Sequence, residues 1–344
     1  MITVKLKKTD TLKIKGFAMF MIVFHNLYHN INQHPSQNEF SFSKHKIYSL
    51  FDIAQNNYTD LIRALFSYFG HYGVQLFIFL SAYGLAKKYK NNYVEKNKIF
   101  LRAYYNLILP FVYLLFILLL YMLIIQKANL LEIINEYGFP IFLKIIAINI
   151  PGYSLSPVGP WWFIPMILQF YMIFPFLINL YKKHKEVILI VISVLAIIST
   201  ILLKKKILYF NVLGHVPVIC LGIYFAYNKV KIPRKVFFLS LFIFIAAQFN
   251  QLIWVLGPLA FVLIFIFCYK ASVISFSLFS FIGKISLFMF LTNGFLRTPF
   301  LWMINQNLKS SICVLAIGFL YFLYVILVSA ILHYSFEELK KTLV

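Results

Sequence analysis

Apolar residues along this chain run in stretches of about twenty, broken by short basic loops, rather than alternating as in a half-buried strand. Stretches of that length match the hydrocarbon core of a bilayer, and they predict helices at roughly 15–31, 70–87, 106–125, 161–180, 187–203, 208–227, 236–250, 252–269, 285–305 and 311–333. Pro110, Pro165, Pro175, Pro217 and Pro258 fall within them, which neighbouring helices or waters can compensate inside a bundle. The tightest connection, Gln248 to Gln251, decides the direction of everything after it.

Composition supports the same reading. Over 344 residues the chain is 62% hydrophobic and 12% charged, with a mean hydropathy of +0.83, which leaves too little polar surface to coat a soluble enzyme. The expected fold class is therefore an all-α integral membrane protein of about ten transmembrane helices. We expect one transmembrane domain over 1–344, without a fused soluble domain. Residues 32–69 and 126–160 are polar enough for surface loops, within which Leu61–Phe69 and Ile141–Ile150 could form interfacial helices. No cleavage site follows the first apolar run, and no internal repeat suggests an inverted-repeat transporter.

Charge sets the orientation. Lys and Arg number 32 against 10 Asp and Glu, a net charge of +22 that in a soluble chain would suggest nucleic acid. Here the basic residues sit between apolar runs, where they mark the cytosolic side. A cytosolic N-terminus gathers about two-thirds of them on that side and puts the C-terminus there too; only the Lys204–Lys206 cluster disagrees. Cys220, Cys268 and Cys313 lie in apolar runs and show neither disulfide nor metal-ligand spacing.

The acids all lie outside or at the ends of the predicted helices, which disfavours proton-coupled transport, paired-carboxylate hydrolysis and acid-rich metal sites. Histidine remains. His25 sits ten residues beyond Lys15 on the first helix, roughly 15 Å deeper, and His29 is one turn further on the same face. An imidazole at that depth suits a general base facing a polar cavity; as plain structure it would be a hydrogen-bonded packing residue. Ser81, Arg102, Asn106, Trp161, Trp162, Gln169 and Tyr171 could converge on it, although each has a structural reading as packing surface, positive-inside residue or interfacial anchor. His215, between Gly214 and Pro217, is a further candidate, whereas His34, His45 and His184 read as solvated.

Four stretches together resemble the acyltransferase-3 family of bacterial membrane acyltransferases. KGFAMFMIVFH (Lys15–His25) is similar to its basic residue, hydrophobic stretch and His; GVQLFIFLSAYGL (Gly73–Leu85) to its Gly-Val-x-Leu-Phe-Phe-x-Leu-Ser-Gly-Tyr pattern. WWFIPMILQFYMIFPFL (Trp161–Leu177) resembles its Trp-Phe-Leu and Tyr-x-x-x-Pro segment, and GKISLFMFLTNGFL (Gly283–Leu296) its Gly-Lys-x-Ser-x-x-x-Tyr-Leu-x-His pattern. HVPVICLGIYFAY (His215–Tyr227) is a softer fifth match. The chain departs from the pattern at Lys15 (for Arg, with nine residues before the His in place of ten), Ala82 (for Gly), Phe290 (for Tyr), Asn293 (for His) and His215 (for Arg).

The resemblance implies a multi-pass protein of the bacterial cytoplasmic membrane that moves acyl groups onto carbohydrates. It implies acyl-CoA, most simply acetyl-CoA, as donor substrate with no bound cofactor. The acceptor would be a hydroxyl of a cell-surface polysaccharide or its lipid-linked precursor. In that mechanism His25 is the general base. Lys15 and Arg102, with Lys87 and Lys88 behind them, meet the coenzyme A phosphates; Ser81, Trp161, Trp162 and Tyr171 line the substrate path, and Asn293 donates a hydrogen bond where relatives have His. His29 and His215 are secondary candidates. Some relatives carry an extracytoplasmic esterase-like domain, and the resemblance therefore implies either transfer by this chain alone or a separate extracytoplasmic partner that receives the acyl group. The competing reading is a transporter or flippase of a glycolipid intermediate, which would need neither His25 nor acyl-CoA.

Overall fold

The computed structural model describes residues 1–31, 35–90, 96–203, 205–271, 277–308 and 310–342. His34, Glu95 and Lys204, which entered the reading of the sequence, lie outside them, as does the side chain of Lys96.

The protein is an all-α membrane protein. The helices are α1 (Lys8–Tyr28), α2 (Lys44–Asn56), α3 (Leu61–Phe69), α4 (Gly73–Tyr89), α5 (Lys96–Ile124), α6 (Phe139–Ile145) and α7 (Phe163–Leu203). After them come α8 (Val216–Tyr227), α9 (Arg234–Phe249), α10 (Gly257–Lys270), α11 (Leu278–Leu296), α12 (Thr298–Gln306) and α13 (Ser311–Thr342). Among the described residues, four helical segments are long and apolar enough to cross a membrane: Lys98–Ile124, Gly159–Leu203, Leu278–Leu296 and Ser311–Thr342. Two short strands, β1 (Ile2–Val4) and β2 (Val230–Ile232), pair antiparallel with Thr3 opposite Lys231, joining the N-terminus to the α8–α9 connection.

Several boundaries differ from those read off the apolar runs. The runs 161–180 and 187–203 belong to one element, α7, broken at Lys185 (φ 55°, ψ −140°) inside the basic cluster that separates them. The run 285–305 divides into α11 and α12, because Pro299 at the start of the second helix cannot continue the first. Leu61–Phe69 is a helix as expected, and the second interfacial expectation reduces to Phe139–Ile145.

Helix α1 is the hub, packed against α3, α4, α11 and α13. Its crossing with α11 is a backbone contact: a Cβ on Gly16 would overlap the carbonyl of Phe279, and one on Gly283 the carbonyl of Leu12. Small residues at such crossings supply the van der Waals packing that holds helices together where lipid removes the hydrophobic driving force. Around this centre α5, α7 and α9 turn large apolar side chains outward, among them Phe116, Ile190 and Phe242, as lipid-facing surfaces do.

The loop over residues 35–42 does not behave as a solvated surface segment. Gln37 and Glu39 are buried, and the ring of Phe40 lies between Phe210 (centroids 3.9 Å, stacked) and Trp162 (4.9 Å, edge-on). Asp60 and Arg63 are buried as an ion pair that also meets Ser311 at the start of α13. Burying a charge is tolerated when a partner and hydrogen bonds accompany it, and this pair pins the N-terminal end of α3 to α13.

Candidate active site

His25 is buried on α1 with Nδ1 3.2 Å from the carbonyl oxygen of Phe66 on α3. A carbonyl only accepts, so this contact assigns the proton to Nδ1 and leaves the Nε2 lone pair free. Two further imidazoles crowd the ring, His29 at 4.8 Å and His71 at 5.7 Å between centroids. Nδ1 of each is buried without a hydrogen-bond partner. His71 comes from the single turn Gly70–Tyr72 between α3 and α4, and that turn approaches α1 closely because Gly70 has no side chain. A Cβ there would fall 2.5 Å from the His25 Cβ and 2.8 Å from the Met21 carbonyl oxygen.

These groups line a cavity of about 230 Å³. Its polar lining includes His25, Asn26, His29, Glu39, His71 and Arg297, and its apolar lining includes Phe40, Leu155, Trp162 and Phe290. Asn26 donates through Nδ2 to the Asn293 side-chain oxygen (2.6 Å), and its own carbonyl accepts from Arg297 (3.2 Å). Glu39 reaches the chamber from the buried loop, and burial pushes its carboxyl up to about 7. It also lines an adjoining cleft with His71, Gln75 and His215.

A second cavity, of about 250 Å³, lies along the same helix toward its N-terminal end. Lys15, Ser81, Asn106 and Tyr171 are polar groups on its wall, and the remainder is mostly apolar. Ile22, Val74 and Phe290 line both cavities. The two chambers are therefore neighbours along α1, with Lys15 in one and His25 in the other.

The predicted residues fall into three groups. His25, His29 and Trp162 share the first chamber, while Lys15, Ser81 and Tyr171 share the second, where Tyr171 hydrogen-bonds Ser81. Trp161, Asn293, His215 and Arg102 line neither. Trp161 is buried, donating to the Leu291 carbonyl (2.8 Å) with its ring edge-on to Phe111. Asn293 spends its amide on the Met289 and Phe290 carbonyls, so toward Asn26 it accepts rather than donates. His215 bonds the Tyr209 carbonyl through Nε2 (2.9 Å), sits 3.4 Å from the Gln75 amide through Nδ1, and stacks against Trp162. Arg102 is exposed, one turn before Asn106. Reading the sequence missed His71, Glu39 and Arg297, which lie between the longer helices rather than in them; the run of polar residues after α1 was a signal for Glu39 alone.

The family model for the acyltransferase domain, that of the acyltransferase-3 family, matches residues 14–334, nearly the whole chain. This chain belongs to the acyltransferase-3 family. No curated protein and no solved structure matches it.

Within this acyltransferase, the departures from the family pattern have local physical settings. Ala82 lies where α4 meets α8: a Cβ on Gly222 would come 2.8 Å from the Ala82 Cβ, so a small residue is needed on both sides. Phe290 packs against Phe163 with centroids 5.2 Å apart and has no hydroxyl to present to either chamber. Lys15 brings a compact, rotatable ammonium in place of a planar guanidinium fork.

Proposed function

We propose that this acyltransferase is an O-acetyltransferase of the bacterial cytoplasmic membrane. It moves acetyl from acetyl-CoA to a hydroxyl of a cell-surface polysaccharide or its lipid-linked precursor. The observation that carries the reading is His25: a base with its proton fixed on the far nitrogen, in a polar chamber that shares a wall with a second, lysine-bearing one. The chain spans the membrane ten times with both termini in the cytosol. The positive-inside count and the β1–β2 pairing of the N-terminus with the basic α8–α9 connection support this.

Coenzyme A enters at the Lys15 end. Lys15 and the exposed Arg102 meet its phosphates, Lys87 and Lys88 add positive potential, and Ser81 and Tyr171 flank the arm that carries the thioester. The acceptor sugar enters the His25 chamber against Trp162. Nε2 of His25 removes the proton of the acceptor hydroxyl as its oxygen attacks the thioester carbonyl. Arg297 and His29, both on the chamber wall, are the donors for the resulting oxyanion. Collapse breaks the carbon–sulfur bond, and the proton held by His25 leaves with the coenzyme A thiolate. His71 and Glu39 complete the polar wall. The acylated sugar is released directly or to a separate extracytoplasmic partner.

The test is label transfer from [acetyl-¹⁴C]acetyl-CoA to glycan in membranes containing the protein. His25→Ala should cut it by roughly 10²–10⁴-fold, the worth of general-base catalysis, at unchanged expression. Glycolipid translocation that needs no acyl-CoA and survives His25→Ala would favour a flippase instead.

A further inference from the structure

Ile22, Val74 and Phe290 are the side chains common to both chambers, and all three are buried. They come from three different helices, α1, α4 and α11, so the waist they form is set by tertiary packing. Ile22 is one turn before His25 on α1, and Phe290 is braced by Phe163. Two of the three are β-branched, which restricts their rotamers, and a braced ring cannot swing far.

The chemistry of a thioester gives this waist a consequence. Resting on the acyl-CoA reading above, the coenzyme lies on the Lys15 side and the attacking hydroxyl on the His25 side. In coenzyme A–S–C(=O)–R the substituent R is the end farthest from the coenzyme. It therefore passes Ile22, Val74 and Phe290 ahead of the carbonyl, and when the carbonyl reaches His25 it projects into the acceptor's chamber. That chamber is lined by polar groups such as His25, Glu39 and Arg297 and by the rings of Phe40 and Trp162, against which the sugar packs. Each added methylene must clear the waist and then occupy space in the His25 chamber that the sugar needs. The more apolar of the two chambers, the Lys15 one, lies behind the carbonyl and cannot receive the substituent.

We infer that Ile22, Val74 and Phe290 are the residues that set acyl specificity, restricting the donor to short unbranched acyl groups. Phe290 contributes the most removable bulk.

The experiment uses the full-length protein in membranes and follows coenzyme A release from acetyl-, propionyl-, butyryl- and isobutyryl-CoA. In the unaltered protein kcat/KM should fall at least tenfold from acetyl to butyryl, with isobutyryl lower again. Phe290→Ala should reduce the acetyl-to-butyryl ratio at least tenfold, chiefly by raising butyryl turnover. Ile22→Val and Val74→Ala, which remove fewer atoms, should each reduce it two- to fivefold and carry the test if Phe290→Ala does not fold. A ratio unchanged in variants that still use acetyl-CoA, or equal use of butyryl- and acetyl-CoA by the unaltered protein, overturns the inference. No turnover by the unaltered protein with any acyl-CoA overturns the acyltransferase reading itself, a result distinct from an unchanged ratio.

Discussion

Nδ1 of His25 lies 3.2 Å from the carbonyl oxygen of Phe66, forty-one residues along the chain, so α3 sets the tautomer of a base carried by α1. The relationship depends on how closely the turn after α3 can approach α1, and Gly70 controls that distance.

Gly70→Ala should therefore damage the site from outside it. The new Cβ would meet the His25 Cβ and the Met21 carbonyl, both fixed by the α1 backbone, so the turn itself must retreat. Overpacking of this kind costs about 1–3 kcal/mol, and we expect a lower melting temperature in detergent together with at least a tenfold loss of transfer. Gly84→Ala on the adjoining α4 is the control. A Cβ there meets nothing within 4 Å, and replacing a helical glycine should raise stability by up to about 1 kcal/mol. Equal behaviour of the two variants would separate Gly70 from His25.

What could be read from the sequence, and what could not, follows from the range of the forces involved. His25, His29 and Lys15 share one helix, so a 3.6-residue repeat and a rise per residue were enough to order them by depth. Ser81 and Tyr171 sit in long apolar runs whose burial was evident from composition. Glu39 and His71 belong to connections between helices, where periodicity carries no signal. Their burial comes from Phe40 wedging between Trp162 and Phe210 and from the absence of a side chain at Gly70. Trp161 shows the converse: its residue type suggested ligand contact, but it lines neither chamber and gives its indole N–H to a main-chain oxygen.

Glu39 predicts a pH dependence of stability. Its carboxyl titrates near 7 in the folded protein against 4.5 for an unperturbed glutamate, so between those values the folded state binds more protons than the unfolded chain. Stability from this group is present below pH 4.5 and is lost as pH rises through 7, by no more than roughly 3 kcal/mol. Glu39→Gln, neutral at every pH, should therefore raise the melting temperature at pH 8 and change it little at pH 5. Identical melting at pH 8 would show that the buried carboxyl carries no such penalty.

The hydrogen bond from Asn26 to Asn293 ties α1 to α11 one residue from the base. Removing either amide leaves the other with a buried, unmade bond, so Asn26→Ala and Asn293→Ala should each destabilise by about 1–3 kcal/mol. The double variant should cost less than the sum by about 0.5–1.5 kcal/mol, measured by denaturant or thermal unfolding in a double-mutant cycle. Additive losses would mean that the two side chains act separately.

Lys15 and Arg102 should separate by their response to salt. Lys15 is half-buried on a chamber wall, whereas Arg102 is exposed one turn before Asn106, which lines the same chamber. If both meet coenzyme A phosphates, Lys15→Ala and Arg102→Ala should each raise KM for the donor, by about tenfold at low ionic strength, with a smaller change in kcat. The Debye length shrinks from about 10 Å at 0.1 M salt to about 3 Å at 1 M, so an exposed contact weakens while a sheltered one persists. The Arg102→Ala defect should therefore fade as salt is raised from 50 to 500 mM, and the Lys15→Ala defect should not. Dephospho-coenzyme A thioesters, which lack the 3′-phosphate, sharpen the assignment: whichever residue meets that phosphate should lose its effect on KM with the truncated donor. Donor KM values unmoved by both substitutions would leave Lys15 and Arg102 with a topological role alone.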